Sequence, residues 1–374
     1  MQDYRQTVSG KATLEPVTDF RIEMSFSRSQ SSTTSSLFKF DTISQTHRDM
    51  TPLTESGTYS ITYNIWQTSF TKENTDGTSP VFQQFQDNRL AIANRLAEQN
   101  KATRPSLGRD DAGFPIGYSR SSQDVLIPAF LAAYAGSDAN TIGLTAFPKI
   151  PVPNWRISYN GLSKIDAIKE YATNITINNQ YSSNYNVGSF ITTLDTTGSR
   201  STYSGDYSSQ YQIKGVSIVE RWGPLIGVDV TFIKNITTKI QYNRDRTLNF
   251  SLSNLQLNEQ VGSEFTFGIG YKTHKLVLPF NIGGHKRVLN NDITFRFDFS
   301  IRDQETKVRN LDRPSNDPVL GQNVWKITPN IDYMINEKLT LKIFYDRRST
   351  TPYTSNSYPT VIQSGGFTLR YTIQ

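Results

Sequence analysis

Residues Asp292–Arg302 read DITFRFDFSIR. Taken in twos, Ile293, Phe295, Phe297, Phe299 and Ile301 fall on one side, and Asp292, Thr294, Arg296, Asp298, Ser300 and Arg302 on the other. That is the strict period of an extended strand with one apolar and one polar face. At ~3.3 Å per residue the apolar set covers roughly 26 Å along the strand, or roughly 20 Å of height at a tilt of about 40°. This nearly fills the apolar band of a bilayer.

The pattern recurs outward from this segment. Phe20, Ile22, Met24 and Phe26 alternate with Arg21, Glu23, Ser25 and Ser27. Tyr59, Ile61, Tyr63 and Ile65 do the same, as do Leu248, Phe250 and Leu252, the set Phe265, Phe267, Ile269 and Tyr271, and the set Leu339, Leu341, Ile343 and Tyr345. The last strand sets Phe367, Leu369, Tyr371 and Ile373 against Thr368, Arg370 and Thr372. The expected apolar, lipid-facing positions are therefore Phe20, Ile22, Met24, Phe26, Ile293, Phe295, Phe297, Phe299, Ile301, Phe367, Leu369, Tyr371 and Ile373. The expected lumen-facing ones are Arg21, Glu23, Thr294, Arg296, Asp298, Arg302, Thr368 and Arg370. Pro329, Phe344 and Ile233 go against the pattern.

Composition narrows the class. Of 374 residues, 4 are Trp, 19 Tyr and 21 Phe, an aromatic content that argues against disorder. The net charge is +6, but Lys and Arg are scattered, which speaks against a nucleic-acid partner. Cysteine is absent, which excludes disulfides, thiol nucleophiles and thiolate metal sites. The histidines His47, His274 and His285 are too widely spaced for a ligand motif. The most apolar stretch, Val125–Ala135, is about half the length of a spanning helix. Residues 1–20 lack a basic start followed by an apolar segment, so the expectation is a mature, truncated or cytoplasmic chain.

Three units are expected: barrel strands over 1–70, a helical and loop insertion over 71–153, and barrel strands over 154–374 including a closing C-terminal strand. Within the insertion, Phe82, Phe85, Ile92 and Leu96 predict an amphipathic helix over Val81–Lys101, and Asp124–Ala135 predicts a second, more apolar one. Both are expected to pack on the barrel rim. Counting hairpins back from the C-terminus puts them on the periplasmic side. Residues 303–322, 350–363 and 254–264 are expected as long polar loops, and 336–338 and 234–235 as tight turns. No phosphate loop, nucleophile elbow or zinc helix motif occurs. Asp110-Asp111 suits a solvated turn, the pairs Gly283-Gly284 and Gly365-Gly366 suit bends, and His285 is the nearest approach to a rim catalytic residue. No cofactor, metal or enzymatic activity is expected.

Four strings carry a resemblance: FPKIPVPNWRISYNGL (147–162), YNVGSF (185–190), ERWGPLIGVD (220–229) and GGFTLRYTIQ (365–374). Together they resemble the C-terminal part of the SprA/Sov family, the outer-membrane translocons of the Bacteroidetes type IX secretion system, linked to gliding motility. The resemblance implies an all-β fold, an antiparallel transmembrane β-barrel segment contributing about a dozen strands to a very large barrel. It further implies passage of folded cargo proteins, with partner proteins gating a side opening and plugging the periplasmic end. This chain would be the last portion of a longer protein, with a cut edge near Met1, and Gln374 departs from the aromatic ending common in barrels. A complete smaller porin or transporter barrel, and a soluble secreted β-rich adhesin, are the alternatives.

Overall fold

The computed structural model describes residues 1–374 apart from 37, 43, 44, 50–52, 194–199, 203, 283, 284, 313–317, 355, 356, 373 and 374. The chain opens with a hairpin, β1 (Gln2–Val17) and β2 (Phe20–Ser35), followed by a small pair, β3 (Phe38–Asp41) and β4 (Thr46–Asp49), and then β5 (Thr54–Thr62). Two helices follow, α1 (Pro80–Gln99) and α2 (Gln123–Ala135), before β6 (Asn154–Tyr159) and the short α3 (Asp166–Lys169). The remainder is strand: β7 (Ala172–Thr192), β8 (Tyr211–Ile213), β9 (Gly215–Phe232), β10 (Ile236–Ser251), β11 (Gln256–Thr273), β12 (Leu276–Ile282), β13 (His285–Leu289), β14 (Ile293–Asn310), β15 (Pro318–Asn336), β16 (Leu339–Pro352) and β17 (Thr360–Tyr371).

Among the described residues, thirteen strands form one sheet in the order β1-β2-β5-β7-β9-β10-β11-β14-β15-β16-β17, with β6 between β2 and β7 and β8 beside β7. Every pairing is antiparallel. The molecule is thus an antiparallel β-sheet protein carrying a helical insertion, and β1 and β17 stand at opposite edges of the sheet.

Tight turns gather at one end, where Asp19 and Asn235 take positive φ values of 67° and 56° and Glu337 follows β15. Asn and Asp tolerate that left-handed region because their short side chains bond locally. This turn end also holds the end of β17. At the other end, the loop end, the expected long loops prove to be mostly strand. β14 runs on to Asn310 and β15 begins at Pro318, β11 begins at Gln256, β16 runs to Pro352 and β17 starts at Thr360. The reason is physical. These extensions lie beyond the apolar run, where most positions on both faces are polar and apolar ones such as Leu257 and Val261 are too sparse for the period of two to leave a clear hydropathy trace.

The insertion is not a connection between neighbouring strands at all. β5 pairs with Arg28–Ser35 of β2, and β6 with Phe20–Ser25 of the same strand. They are two halves of one strand, interrupted by residues 63–153. Hairpin counting therefore misplaced the insertion: its helices lie toward the loop end, against Phe250 and Leu311, and not at the turn end that holds the end of β17.

Two backbone details also differ from the expectation. Gly365-Gly366 is no bend; it lies within β17 opposite Tyr345 and Phe344, whose rings fill the space that side chains would take. Pro329 sits inside β15 opposite Phe297, and the pairing of β15 with β16 lapses at Thr328 and Pro329, where the donor is missing. Gly57 is tighter still, because a Cβ there would meet the Ser31 carbonyl oxygen and the Ser32 Cα of β2. Gly57→Val is therefore expected to destabilise the fold by about 1–3 kcal/mol or more through forced separation of β2 and β5, read as a lowered midpoint in equilibrium unfolding.

Candidate functional site

Residues opposite one another across an antiparallel pair share a face, so the register sorts every strand. Phe20 stands in one cross-strand row with Tyr159, Ile177, Val228, Ile240, Phe267, Phe299, Ile327 and Arg347. All but the last are apolar or aromatic. Above and below that row the same face carries Ile22, Met24 and Phe26 on β2, and Ile293, Phe295, Phe297 and Ile301 on β14. It carries Leu339, Leu341 and Ile343 on β16, opposite Tyr371, Leu369 and Phe367 of β17. Ile373 lies outside the described residues.

This band is oblique to the strands. Phe20 is the first apolar residue of β2 counted from the turn end, whereas Arg347 lies eight positions beyond Leu339, the first of β16. The band therefore slips about one residue per strand; with ~3.3 Å rise and ~4.8 Å between strands, the strands stand roughly 35° from the band's normal. It is largely uncovered, although Ile293 near the turn end is buried at 1% exposure. Phe297 is 37% exposed, Ile226 60% and Phe367 78%, and no second sheet packs across it among the described residues.

The opposite face is polar. Arg21, Glu23, Thr294, Arg296, Asp298, Arg302, Thr368 and Arg370 all lie there, by the same register. Charges of both signs meet on it: Arg302 pairs with Asp245 at 3.0 Å, Arg21 with Glu23 at 2.8 Å, and Lys326 with Asp346 at 2.8 Å. Glycines at 268 and 270 keep it open beside Arg296 and Asp298, in a cleft of ≈ 270 Å³. Among the described residues Phe344, whose ring lies over Gly366, and Val219, Val324 and Ile362 are apolar residues on this face.

Beyond the band, toward the loop end, the apolar face is covered by the insertion. Ser79 caps α1, its hydroxyl accepting from the Phe82 amide, Pro80 occupies the first turn, and Gly136 ends α2 in the left-handed region at φ 65°. Phe85 and Phe130 pack on Phe250, with ring centres 5.3 and 5.5 Å away. The alternations at Tyr59 and Ile61 and at Leu248 and Phe250 are real, but what covers them is this helical insertion.

The junction between the two is charged. Glu220 of β9 and Arg246 of β10 are buried at 1% and 4% exposure and pair at 3.1 Å. Arg246 also donates to the Thr68 carbonyl at 3.0 Å and to its hydroxyl at 2.9 Å, while Glu220 accepts from Tyr181 at 3.0 Å and from Ser69. The Ile65 amide donates to the Tyr181 hydroxyl at 3.0 Å. The strands thus grip residues 65–69, where the chain leaves β5. A second anchor forms at Glu73, which accepts from Lys307 at 2.5 Å and from Arg309, itself 2.9 Å from Glu259. Gln123 ties α2 to β8, accepting from the Ile213 amide and donating to the Tyr211 carbonyl, each at 2.8 Å. None of these pairs shows in the sequence, because partners such as Ser69 and Glu220 are 151 positions apart.

Burial alone would raise the Glu73 carboxyl, but hydrogen bonds from Lys307 and Arg309 outweigh it and hold it below the ordinary carboxylate value. Burial pushes Asp124, at the start of α2, upward. Asp110 is a turn residue, accepting from the Ala112 and Phe114 amides at 3.0 and 2.8 Å. Among the described residues no group of three or more His, Asp or Glu is placed to hold a metal, and the side chain of His285 and the pair Gly283-Gly284 lie outside them.

Two outcomes follow from the junction. Removing only the carboxylate, with Glu220→Ala, strands a buried guanidinium and is expected to cost about 3–5 kcal/mol, whereas Glu220→Leu combined with Arg246→Met is expected to cost far less in a double-mutant cycle. The Glu73 anchor contributes stability that is present above the unfolded value of 4.5 and lost as pH falls through the lower folded value. Protease cleavage within residues 70–79 should therefore rise on acidification below about pH 4.5, and Glu73→Gln should flatten that profile. No protein family model matches the chain, and no curated protein sequence matches it.

Proposed function

We propose that this sheet is part of the wall of an outer-membrane, protein-conducting β-barrel, the C-terminal portion of a type IX secretion translocon of the SprA/Sov kind. The observation that carries the membrane reading is the slip of the apolar band. A band set roughly 35° off the strands is what a flat slab of lipid requires of tilted barrel strands, whose usual tilt is about 35–45°. A soluble sheet has no reason to hold its apolar residues to one plane across so many strands. The band covers on the order of 1,000 Å², well above the few hundred Å² that a soluble monomer exposes in one patch.

The polar face then lines water. Its mixed charges and small Gly, Ser, Thr and Asn side chains suit a hydrated conduit that binds nothing tightly. The cargo (folded proteins delivered to the cell surface) and the plug and side-gate partners come from the resemblance, on the strings at 147–162, 185–190, 220–229 and 365–374. No catalytic residue and no cofactor are assigned.

Because the chain contains no cysteine, single cysteines report each face cleanly. Asp298→Cys is expected to react with a membrane-impermeant maleimide in intact vesicles, while Phe297→Cys reacts only with a lipid-soluble one. Equal labelling of both by the impermeant reagent would sink the membrane reading. Phe297→Arg, at mid-band, is expected to cost about 2–4 kcal/mol in folding from detergent into vesicles. In cells, loss of surface delivery of secreted proteins and of gliding on deletion of residues 360–371 tests the secretion role.

A further inference from the structure

Among the described residues, the strands of the thirteen-stranded sheet carry six basic side chains on the apolar face. Three are paired with carboxylates: Arg246 with Glu220, Lys307 with Glu73, and Arg309 with Glu259. The other three, Arg28, Arg244 and Arg347, form no ion pair among the described residues. Their positions coincide. Arg28 lies eight residues beyond Phe20 on β2, Arg244 eight beyond Ile236 on β10, and Arg347 eight beyond Leu339 on β16. Each count starts at the first apolar residue of a strand rising from the turn end, so all three arginines stand at one height, along the loop-end edge of the oblique band.

Their surroundings repeat as well. Each guanidinium lies over an aromatic ring: Arg28 is 5.8 Å from the centre of Tyr59, Arg244 is 5.2 Å from Phe70, and Arg347 is 5.1 Å from Trp325. The ring holds the guanidinium plane in place. In all three the Nε is buried and finds no hydrogen-bond partner. Each side chain is nevertheless only half-buried, so the rest of its guanidinium can still meet an acceptor from outside the protein. The missing acceptor must be anionic, must sit at the rim of an apolar slab, and must recur around it. A planar, preoriented guanidinium matches the oxygens of a phosphate.

We infer that Arg28, Arg244 and Arg347 form a belt that selects anionic lipids, binding the phosphate groups of headgroups that carry net negative charge in the leaflet at the loop end. This rests on the membrane reading above. The belt fixes the height of the sheet in the bilayer, and it places the charged junction of the insertion immediately outside the hydrocarbon.

The test uses the whole protein, extracted in mild detergent and reconstituted in bilayers of equal parts phosphatidylcholine and phosphatidylglycerol, with retained lipids counted by native mass spectrometry. The parent is expected to retain phosphatidylglycerol over phosphatidylcholine by about fivefold or more, the attraction of one juxtamembrane cation for an anionic leaflet. The triple variant R28Q, R244Q and R347Q should retain the two lipids equally, and Arg296→Gln, on the polar face, should behave as the parent. Should the triple variant fold poorly, R347Q alone should give a partial loss. A parent that floats with vesicles yet shows no preference overturns the belt and leaves the membrane reading standing; a parent that does not float overturns both. Displacement of the retained lipid by inorganic phosphate overturns the lipid assignment, since the site would then be one for the free ion.

Discussion

An extended backbone gives its side chains no choice but to alternate, and in a paired sheet the alternation of one strand binds its neighbours through the register. The whole molecule depends on that constraint. With each strand's apolar run starting at its own offset, a sheet paired at right angles to its strands still presents one level band, because the runs slip by about one residue per step. A misplaced register would break the level and turn phenylalanines onto the charged face. Pro329 and the bulge at Trp222–Ile226, where β9 has two residues more than β10, are accommodated without disturbing the alternation on either side.

Above the band the same face changes partner. Where Phe297 and Phe265 are exposed, Phe250, Leu248, Ile218 and Tyr185 on the loop-end side are covered by the helical insertion. The insertion leaves from the middle of a strand, so its first residues must cross the edge of the apolar band with their backbone groups satisfied. Arg246 and Glu220 supply that: Arg246 donates to the Ile65 and Thr68 carbonyls, and Glu220 holds both Arg246 and the Tyr181 hydroxyl that receives the Ile65 amide. A buried ion pair adds little net stability over an apolar substitute, but it fixes geometry when every member is satisfied. Here that geometry is the point at which β5 stops and β6 resumes against the same neighbour.

How much of this was legible in the sequence depends on which side of the band edge a residue falls. Ile293 to Ile301 and Phe367 to Tyr371 showed their faces because one side is apolar and the other charged. Asp303, Glu305, Lys307 and Arg309 continue the same strand face, yet they read as a loop, since a strand wet or ion-paired on both sides has no hydropathy period. The helices showed through Phe82, Phe85, Ile92 and Leu96 at helical spacing. Their place did not, because a strand split by residues 63–153 looks like two short strands with a long connection between them. Long-range polar pairs such as Glu73 with Arg309 are illegible in principle: the sequence separates them by 236 positions, and only the fold brings them together.

The two open edges show what the membrane reading demands of its surroundings. β1 and β17 each present a row of backbone donors and acceptors, and their side chains are exposed nearly throughout. In water such edges invite aggregation, and in hydrocarbon each unmet group costs several kcal/mol, so no open edge persists there. β17 is apolar on one face through Phe367, Leu369 and Tyr371, and β1 through Val8, Ala12 and Leu14, so both edges continue the band right to the margin of the sheet. A wall built this way functions in lipid only when further strands pair with both margins in the register that keeps the band level. The slip of one residue per strand, which defines the tilt, is therefore also the rule any neighbouring strand must obey.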